Sequence, residues 1–145
     1  MNTESVIVAR TFNVPVQKVW KALTDVTQIK KWYFDIKEFK AEVGFEFQFE
    51  AIGKDGKTFV HLCKITEVAF CKKLSYTWRY EGYEGNSLVT FELFTGGNET
   101  RVKLTHSGLE IFPNTTDFAK QNFVEGWTFI MEKGLTGFLE KEYKS

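Results

Sequence analysis

Alternating apolar and polar residues, interrupted by short turns, fill most of the sequence between residues 43 and 106. The first such segment, VGFEFQFEAI, places five apolar residues on one face: Val43, Phe45, Phe47, Phe49 and Ala51. The Asp55-Gly56 pair that follows is a strong hairpin signal. Alternating segments joined by short turns predict an antiparallel meander with one apolar face and one face in water.

The later segments LSYTWRY, SLVTFELF and TRVKLTHSGL continue the alternation. They add further residues to the apolar face: Leu74, Tyr76, Trp78, Tyr80, Val89, Phe91, Leu93, Val102, Leu104 and His106. The facing of TFVHLCKITEV stays open, because both of its rows contain apolar residues. One row holds Phe59, His61, Cys63 and Ile65, and the other holds Val60 and Leu62.

A strand and two short helices are predicted before the meander. SVIVARTF predicts the strand, and VPVQKVWKALTD changes to helical spacing, with Pro15 at the opening, where a helix tolerates proline. Thr24 or Asp25 can cap a second helical turn that runs through Ile29. The aromatic run KKWYF follows, and we expect its Trp32 to cover the edge of the core, with a lid or an oligomer contact as the alternative.

The segment EGWTFIMEKGLTGFLEK, from Glu125 to Lys141, predicts a long helix that starts after FPNTTD. At about 100° per residue, one side of it gathers apolar residues: Phe123, Trp127, Ile130, Met131 and Phe138. Gly134 falls near the middle of this stripe, whereas Gly126 and Gly137 lie at its edge. Gly134 either lets a strand or a bulky phenylalanine approach the helix or leaves volume for a ligand. We favour the second explanation, which predicts that Gly134→Leu stabilises the protein and blocks ligand uptake.

These elements predict an α+β fold: a strand, two short helices, about five or six antiparallel strands and one long C-terminal helix. A curved sheet with one phenylalanine-rich face needs a cover, and the terminal helix is the only long candidate. A length of 145 residues suits one domain, residues 1–145, that needs neither disulfides nor metal.

Charge and composition exclude several classes of function. Lys plus Arg and Asp plus Glu both number 19, so the net charge is zero, which disfavours a nucleic-acid partner. The two cysteines and two histidines have no metal-ligand spacing, so we expect no metal, no cofactor and free thiols. No membrane span or secretory signal is evident, and a cytoplasmic location is expected.

Several short motifs resemble one known family. They are N-V-P-V-x-x-V-W-K-A-L-T-D (Asn13–Asp25), the D-G-K turn, L-S-Y-T-W (Leu74–Trp78), L-T-H-S-G-L (Leu104–Leu109) and E-G-W (Glu125–Trp127). In this order they resemble the bacterial single-domain members of the family related to the activator of heat-shock-protein ATPase, within the START/birch-pollen-allergen (SRPBCC) superfamily. The resemblance implies a helix-grip fold in which the sheet and the long helix enclose an elongated apolar cavity.

The superfamily contains lipid carriers, polyketide cyclases, hormone receptors and cochaperones, so three classes of function remain open. The first is the binding of a small lipophilic or aromatic molecule, for which the inward rows predict the contacts: Phe45, Phe47, Phe49, His61, Tyr76, Trp78, Val89, Phe91, His106, Phe123, Trp127, Met131 and Gly134. The second is a cyclase- or aromatase-like enzyme, and the third is a chaperone partner. We expect a monomer or weak homodimer, and we expect Phe47, Trp78 and Phe91 to bound an internal cavity.

His106 is the best polar candidate for catalysis, because the alternation places it on the inner face near the end of the last strand. No second ionisable residue is tied to it by spacing, and the sequence lacks G-x-S-x-G, a phosphate loop and H-E-x-x-H. We therefore expect His106 to have a structural role, with a hydrogen bond to a backbone carbonyl or a group on the helix, and we assign no catalytic residue.

Overall fold

A six-stranded antiparallel sheet forms the frame of the protein, in the order β1-β6-β5-β4-β3-β2. The structure is a computed structural model that describes residues 5–52, 56–83, 85–109, 112 and 120–143. Its strands are β1 (Val6–Phe12), β2 (Glu46–Ile52), β3 (Thr58–Ala69), β4 (Lys73–Tyr80), β5 (Ser87–Gly96) and β6 (Glu99–Ser107). Its helices are α1 (Val16–Thr24), α2 (Val26–Trp32), α3 (Lys120–Phe129), a π-helical segment (Ile130–Leu135) and α4 (Thr136–Tyr143).

The predicted alternation and the antiparallel meander are confirmed. His106 pairs with Val6 of β1 and with Val89 of β5, and all three residues are buried. The open facing of β3 is resolved by its four buried residues, which form the row Phe59, His61, Cys63 and Ile65. One prediction is wrong: Val43 is 67% exposed, because it lies in the turn before β2 begins. Asp55 lies outside the described residues.

The two short helices also form as predicted. Pro15 is the N-cap of α1, and the carboxylate of Asp25 caps α2 by accepting a hydrogen bond of 2.9 Å from the backbone N–H of Thr27. Helix α2 extends to Trp32, three residues past the predicted end. The indole N–H of Trp32 donates to the carbonyl of Ala22 at 2.8 Å, and the side chain is buried. Trp32 therefore covers the edge of the core, as expected.

The C-terminal helix has the predicted position but contains a π-helical segment. Both the backbone N–H and the hydroxyl of Thr136 donate to the carbonyl of Met131, five residues earlier. A π-turn holds more residues than an α-turn, so Leu135 and Leu139 rotate into the core and are fully buried. The predicted start, after Asp117, lies outside the described residues. No helix among the described residues is long and apolar enough to span a membrane.

Gly134 is a point of close contact and does not line a cavity. A Cβ atom built there would overlap the carbonyl oxygen of Trp32 and lie 3.5 Å from its carbonyl carbon. The glycine thus lets the last turn of α2 touch the C-terminal helix. The cavity explanation is wrong, and Gly134→Leu is now expected to destabilise the protein. Gly126 and Gly137, in contrast, are exposed and have nothing within 4 Å of a built Cβ.

Candidate functional site

Aromatic rings from three strands and the helix meet between β2, β3, β4 and α3. Phe49 and His61 are paired across β2 and β3, and their rings stack with centroids 4.5 Å apart and planes 13° apart. The ring of Trp78 on β4 is nearly perpendicular to both, with its centroid 5.5 Å from that of Phe49 and 4.8 Å from that of His61. Trp127 on α3 lies 5.1 Å from Trp78. These four rings form walls of a flat aromatic slot.

Two rings from outside the sheet and helix occupy this slot. Tyr33 and Phe34 belong to the linker, residues 33–45, which joins α2 to β2. The Phe34 ring stacks on Phe49 with centroids 4.2 Å apart and planes 15° apart. The Tyr33 ring is near-parallel to that of Trp127, at 6.2 Å and 21°. Sequence reasoning did not include these two residues in the site, although the KKWYF run was the signal that could have found them.

The hydroxyl groups of Tyr33 and Tyr76 are joined by a hydrogen bond of 2.8 Å. Tyr76 is only 2% exposed, so this pair of hydroxyls lies within an aromatic environment. Burial raises the pKa of Tyr76, and burial raises the pKa of Tyr33 well above its ordinary value. Both phenols are therefore neutral at physiological pH. Either hydroxyl can be the donor in the hydrogen bond between them, with the other as the acceptor.

An empty space of about 10 Å³ adjoins the Tyr33–Tyr76 pair. Its lining is mostly apolar: Leu23, Ile29, Trp32, Tyr33, Ile36, Phe39, Phe47, Leu74, Tyr76 and Phe91. A volume of this size holds at most one water molecule. Around the Tyr33–Tyr76 pair the described side chains leave no room for a ligand, so the prediction that Phe47 and Phe91 together bound an open cavity is not confirmed. Trp78, the third predicted boundary, packs against other rings.

His106 is fully buried, and both of its ring nitrogens are engaged. The indole N–H of Trp127 donates to Nδ1 at 3.0 Å, so Nε2 carries the hydrogen and donates to the hydroxyl of Ser87 at 2.7 Å. Ser87 in turn donates to the carbonyl of Trp78 at 2.8 Å. Burial lowers the pKa of His106 to about 3. This series of hydrogen bonds supports the expected structural role of His106, since none of its lone pairs is free to accept a substrate proton.

His61 lies closer to the slot than His106 does, and it is also neutral. Its Nδ1 lies 3.1 Å from the carbonyl oxygen of Phe59, which identifies Nδ1 as the protonated nitrogen. Burial lowers the pKa of His61 to about 4, although hydrogen bonds to the backbone of Phe59 and Phe49 act in the opposite direction. The imidazole therefore contributes a flat, uncharged surface to the slot.

Most of the predicted ligand contacts lie together in one buried core. The buried ones are Phe47, Phe49, His61, Tyr76, Trp78, Val89, Phe91, His106, Phe123, Trp127 and Met131. Phe45 is half-buried just before β2, with its ring 6.4 Å from Phe39. Gly134 contacts α2 instead of the slot. No cluster of three or more metal-ligating side chains occurs within the described part of the chain.

A curved antiparallel sheet that holds a long C-terminal helix, with two short helices after the first strand, defines a helix-grip protein. The chain belongs to the Activator of Hsp90 ATPase homolog 1-like family, whose model matches residues 13–140. This confirms the resemblance drawn from the sequence. No curated protein matches the chain significantly.

Solved structures support the same fold. Protein MLL2253 from Mesorhizobium loti is 29% identical, with a TM-score of 0.78 over 96% of this chain and 98% of that protein. Protein CV1439 from Chromobacterium violaceum is 20% identical, with a TM-score of 0.79 over 94% and 97% of the two chains. CalU16 from Micromonospora echinospora is 23% identical, with a TM-score of 0.71 over 95% and 77%. The latter two show a shared fold alone.

Proposed function

We propose that the protein binds a small, flat aromatic or lipophilic molecule between the sheet and the C-terminal helix, where the rings of Tyr33 and Phe34 now lie. The observation that carries this proposal is the origin of these two rings. They come from a linker, whereas the surfaces on which they stack belong to the sheet and the helix. A ligand that replaces them keeps the aromatic contacts of the slot and leaves the regular elements in place.

The linker is able to move locally because its backbone is outside the sheet ladder at this point. Around Tyr33 and Phe34 the described backbone hydrogen bonds are local, from the N–H of Tyr33 to the carbonyl of Ile29 and from the N–H of Ile36 to the carbonyl of Phe34. Only the end of the linker pairs with β3, where Gly44 and Phe45 bond to Ile65. Ile36 and Phe39 anchor the linker through buried side chains. Withdrawal of the Tyr33 and Phe34 rings therefore breaks no strand pairing. What it loses is the stacking of the two rings and the Tyr33–Tyr76 hydrogen bond, and these are contacts that a bound aromatic ligand can replace.

The exposed slot would suit a planar apolar molecule. Phe49 and His61 offer one stacked face, and Trp127 offers another from the helix side. Aromatic pairs of this kind contribute about 0.5–1.5 kcal/mol each beyond the burial of apolar area. Ligand pockets generally combine such apolar walls with a few polar groups. Here the polar group is the hydroxyl of Tyr76.

The direct test is a variant that empties part of the slot. Phe34→Ala removes a ring that competes with the ligand, so it should bind the neutral dye N-phenyl-1-naphthylamine several-fold more tightly than the wild-type protein, with a stoichiometry of one. Phe94→Ala is the matched control, because Phe94 is 48% exposed on β5 and contacts no part of the slot. Dye affinity that is equal in both variants, or that never saturates, would contradict the proposal.

A further inference from the structure

We infer that the ligand is an uncharged molecule with a hydroxyl or carbonyl group that forms a hydrogen bond with Tyr76. This inference rests on the proposed function and specifies its chemical class. It follows from two features of the slot: the absence of a charged partner among its described side chains, and the hydroxyl that loses its partner when Tyr33 withdraws.

The described walls of the slot offer nothing that would stabilise a charged ligand. They consist of Phe49, His61, Tyr76, Trp78 and Trp127, with no Lys, Arg, Asp or Glu among them. His61 is uncharged at neutral pH, because burial lowers its pKa to about 4. A buried charge without a partner carries a large desolvation penalty. A carboxylate or ammonium group would therefore have to stay outside the slot.

Displacement of Tyr33 leaves one buried hydroxyl inside the slot without a hydrogen-bond partner. The Tyr76 hydroxyl has Tyr33 as its hydrogen-bond partner, and its residue is almost completely buried. Leaving a buried hydroxyl without a partner costs more than an ordinary hydrogen bond contributes to stability. A ligand that brings a hydroxyl or carbonyl group to the former place of the Tyr33 hydroxyl restores the pair.

Two other polar groups near the slot, Tyr80 and His106, are already engaged. The hydroxyl of Tyr80 accepts from the indole N–H of Trp78 at 2.9 Å. His106 is bonded on both sides, to Trp127 and to Ser87. None of these bonds involves the linker, so all of them persist when the linker rings leave. Tyr76 is thus the described hydroxyl whose hydrogen bond is lost when the linker rings leave.

Three matched compounds test the inference: naphthalene, its hydroxyl derivative 2-naphthol and its carboxylate 2-naphthoate. Their dissociation constants can be measured by displacement of N-phenyl-1-naphthylamine. We expect 2-naphthol to bind roughly five- to 150-fold more tightly than naphthalene, which is the range for one buried hydroxyl left unpaired. We expect 2-naphthoate to bind at least about tenfold more weakly than naphthalene, because its charge is desolvated without a partner.

Three tyrosine variants test whether the preference for 2-naphthol depends on the hydroxyl of Tyr76. In Tyr76→Phe the ratio between 2-naphthol and naphthalene should fall to about one, whereas in the control Tyr80→Phe it should persist. Tyr33→Phe leaves the Tyr76 hydroxyl unpaired before binding, so it should bind 2-naphthol more tightly than the wild-type protein does. Should Tyr76→Phe fail to fold, the Tyr33→Phe result decides the question by itself.

The failures of the two proposals are distinguishable. If naphthalene and 2-naphthol bind equally well to the wild-type protein, or if 2-naphthoate binds best, the neutral hydroxyl ligand is excluded while the ligand site stands. If none of the three compounds binds saturably, and the dye does not bind either, the ligand site itself is excluded, and the inference about its chemistry is excluded with it.

Discussion

Substitution of Gly134 by alanine gives a sharp test of the contact between α2 and the C-terminal helix. A Cβ at this position overlaps the carbonyl oxygen of Trp32, which is backbone and has no rotamer to change. The end of α2 is also held by the bond from the Trp32 indole to Ala22. Overpacking costs about 1–3 kcal/mol, and the gain in helix propensity offsets about 0.5–1 kcal/mol. We expect a net loss of about 1–2 kcal/mol.

Gly137→Ala is the matched control in the same helix. It makes the same chemical change at an exposed position with nothing within 4 Å of the new methyl group, so it should stabilise by about 0.5–1 kcal/mol. The two variants and the wild-type protein can be compared by urea-induced and thermal unfolding, each monitored by far-UV circular dichroism. The melting temperature of Gly134→Ala should fall by about 2–8 °C. If Gly134→Ala is as stable as Gly137→Ala, the helix contact assigned to Gly134 does not exist.

Two further predictions concern the buried histidines. His61 and His106 are neutral in the folded state, with pKa values of about 4 and about 3, whereas each has an ordinary value of 6.5 in the unfolded chain. The unfolded state therefore binds more protons below pH 6.5, and stability should fall as the pH drops from 6.5 towards 4, by about 2 kcal/mol per histidine at pH 5. Urea unfolding at pH 7.5 and pH 5 measures this, and equal free energies would refute it. His106→Leu leaves the indole N–H of Trp127 without an acceptor, so it should lower the free energy of unfolding by about 1–3 kcal/mol at pH 7.5. It should also roughly halve the loss of stability between pH 7.5 and pH 5, because one of the two histidines is gone. A variant as stable as the wild-type protein would show that the bond between Trp127 and His106 contributes nothing.

The sheet was predictable because strand alternation records burial directly. The rows that contain Phe49, Trp78, Phe91 and His106 all face inward, since each strand has one buried face and neighbouring strands are in register. The ambiguous strand β3 could not be assigned from its own residues. Its facing depends on pairing with β2, which places His61 opposite Phe49.

The helix was predicted less well, because an ideal period of 100° per residue does not describe a helix with a π-segment. The extra residue in that turn directs Leu135 and Leu139 into the core, and neither belonged to the predicted stripe. The partner of Gly134 was also unpredictable. It is a backbone carbonyl from α2, about a hundred residues earlier in the chain, and no local pattern records such a contact.

The residues that form the walls of the slot were predicted from the sequence, but the two linker rings that occupy it were not. Phe49, Trp78 and Trp127 lie on elements with clear periodicity, so their facing could be read from spacing. Tyr33 and Phe34 lie in a linker without periodicity, and their positions follow from the stacking surfaces that the tertiary fold creates. An open cavity was expected because the inward rows were considered without these two rings.

The central claim is that a ligand ring replaces the rings of Tyr33 and Phe34. Isotope-filtered NOE spectroscopy of the complex with 2-naphthol tests it most directly. We predict NOEs from the naphthol ring to the ring protons of Phe49 and Trp127, together with loss of the NOE between Tyr33 and Trp127. NOEs to outer-face residues such as Phe94, with the contact between Tyr33 and Trp127 retained, would contradict the claim.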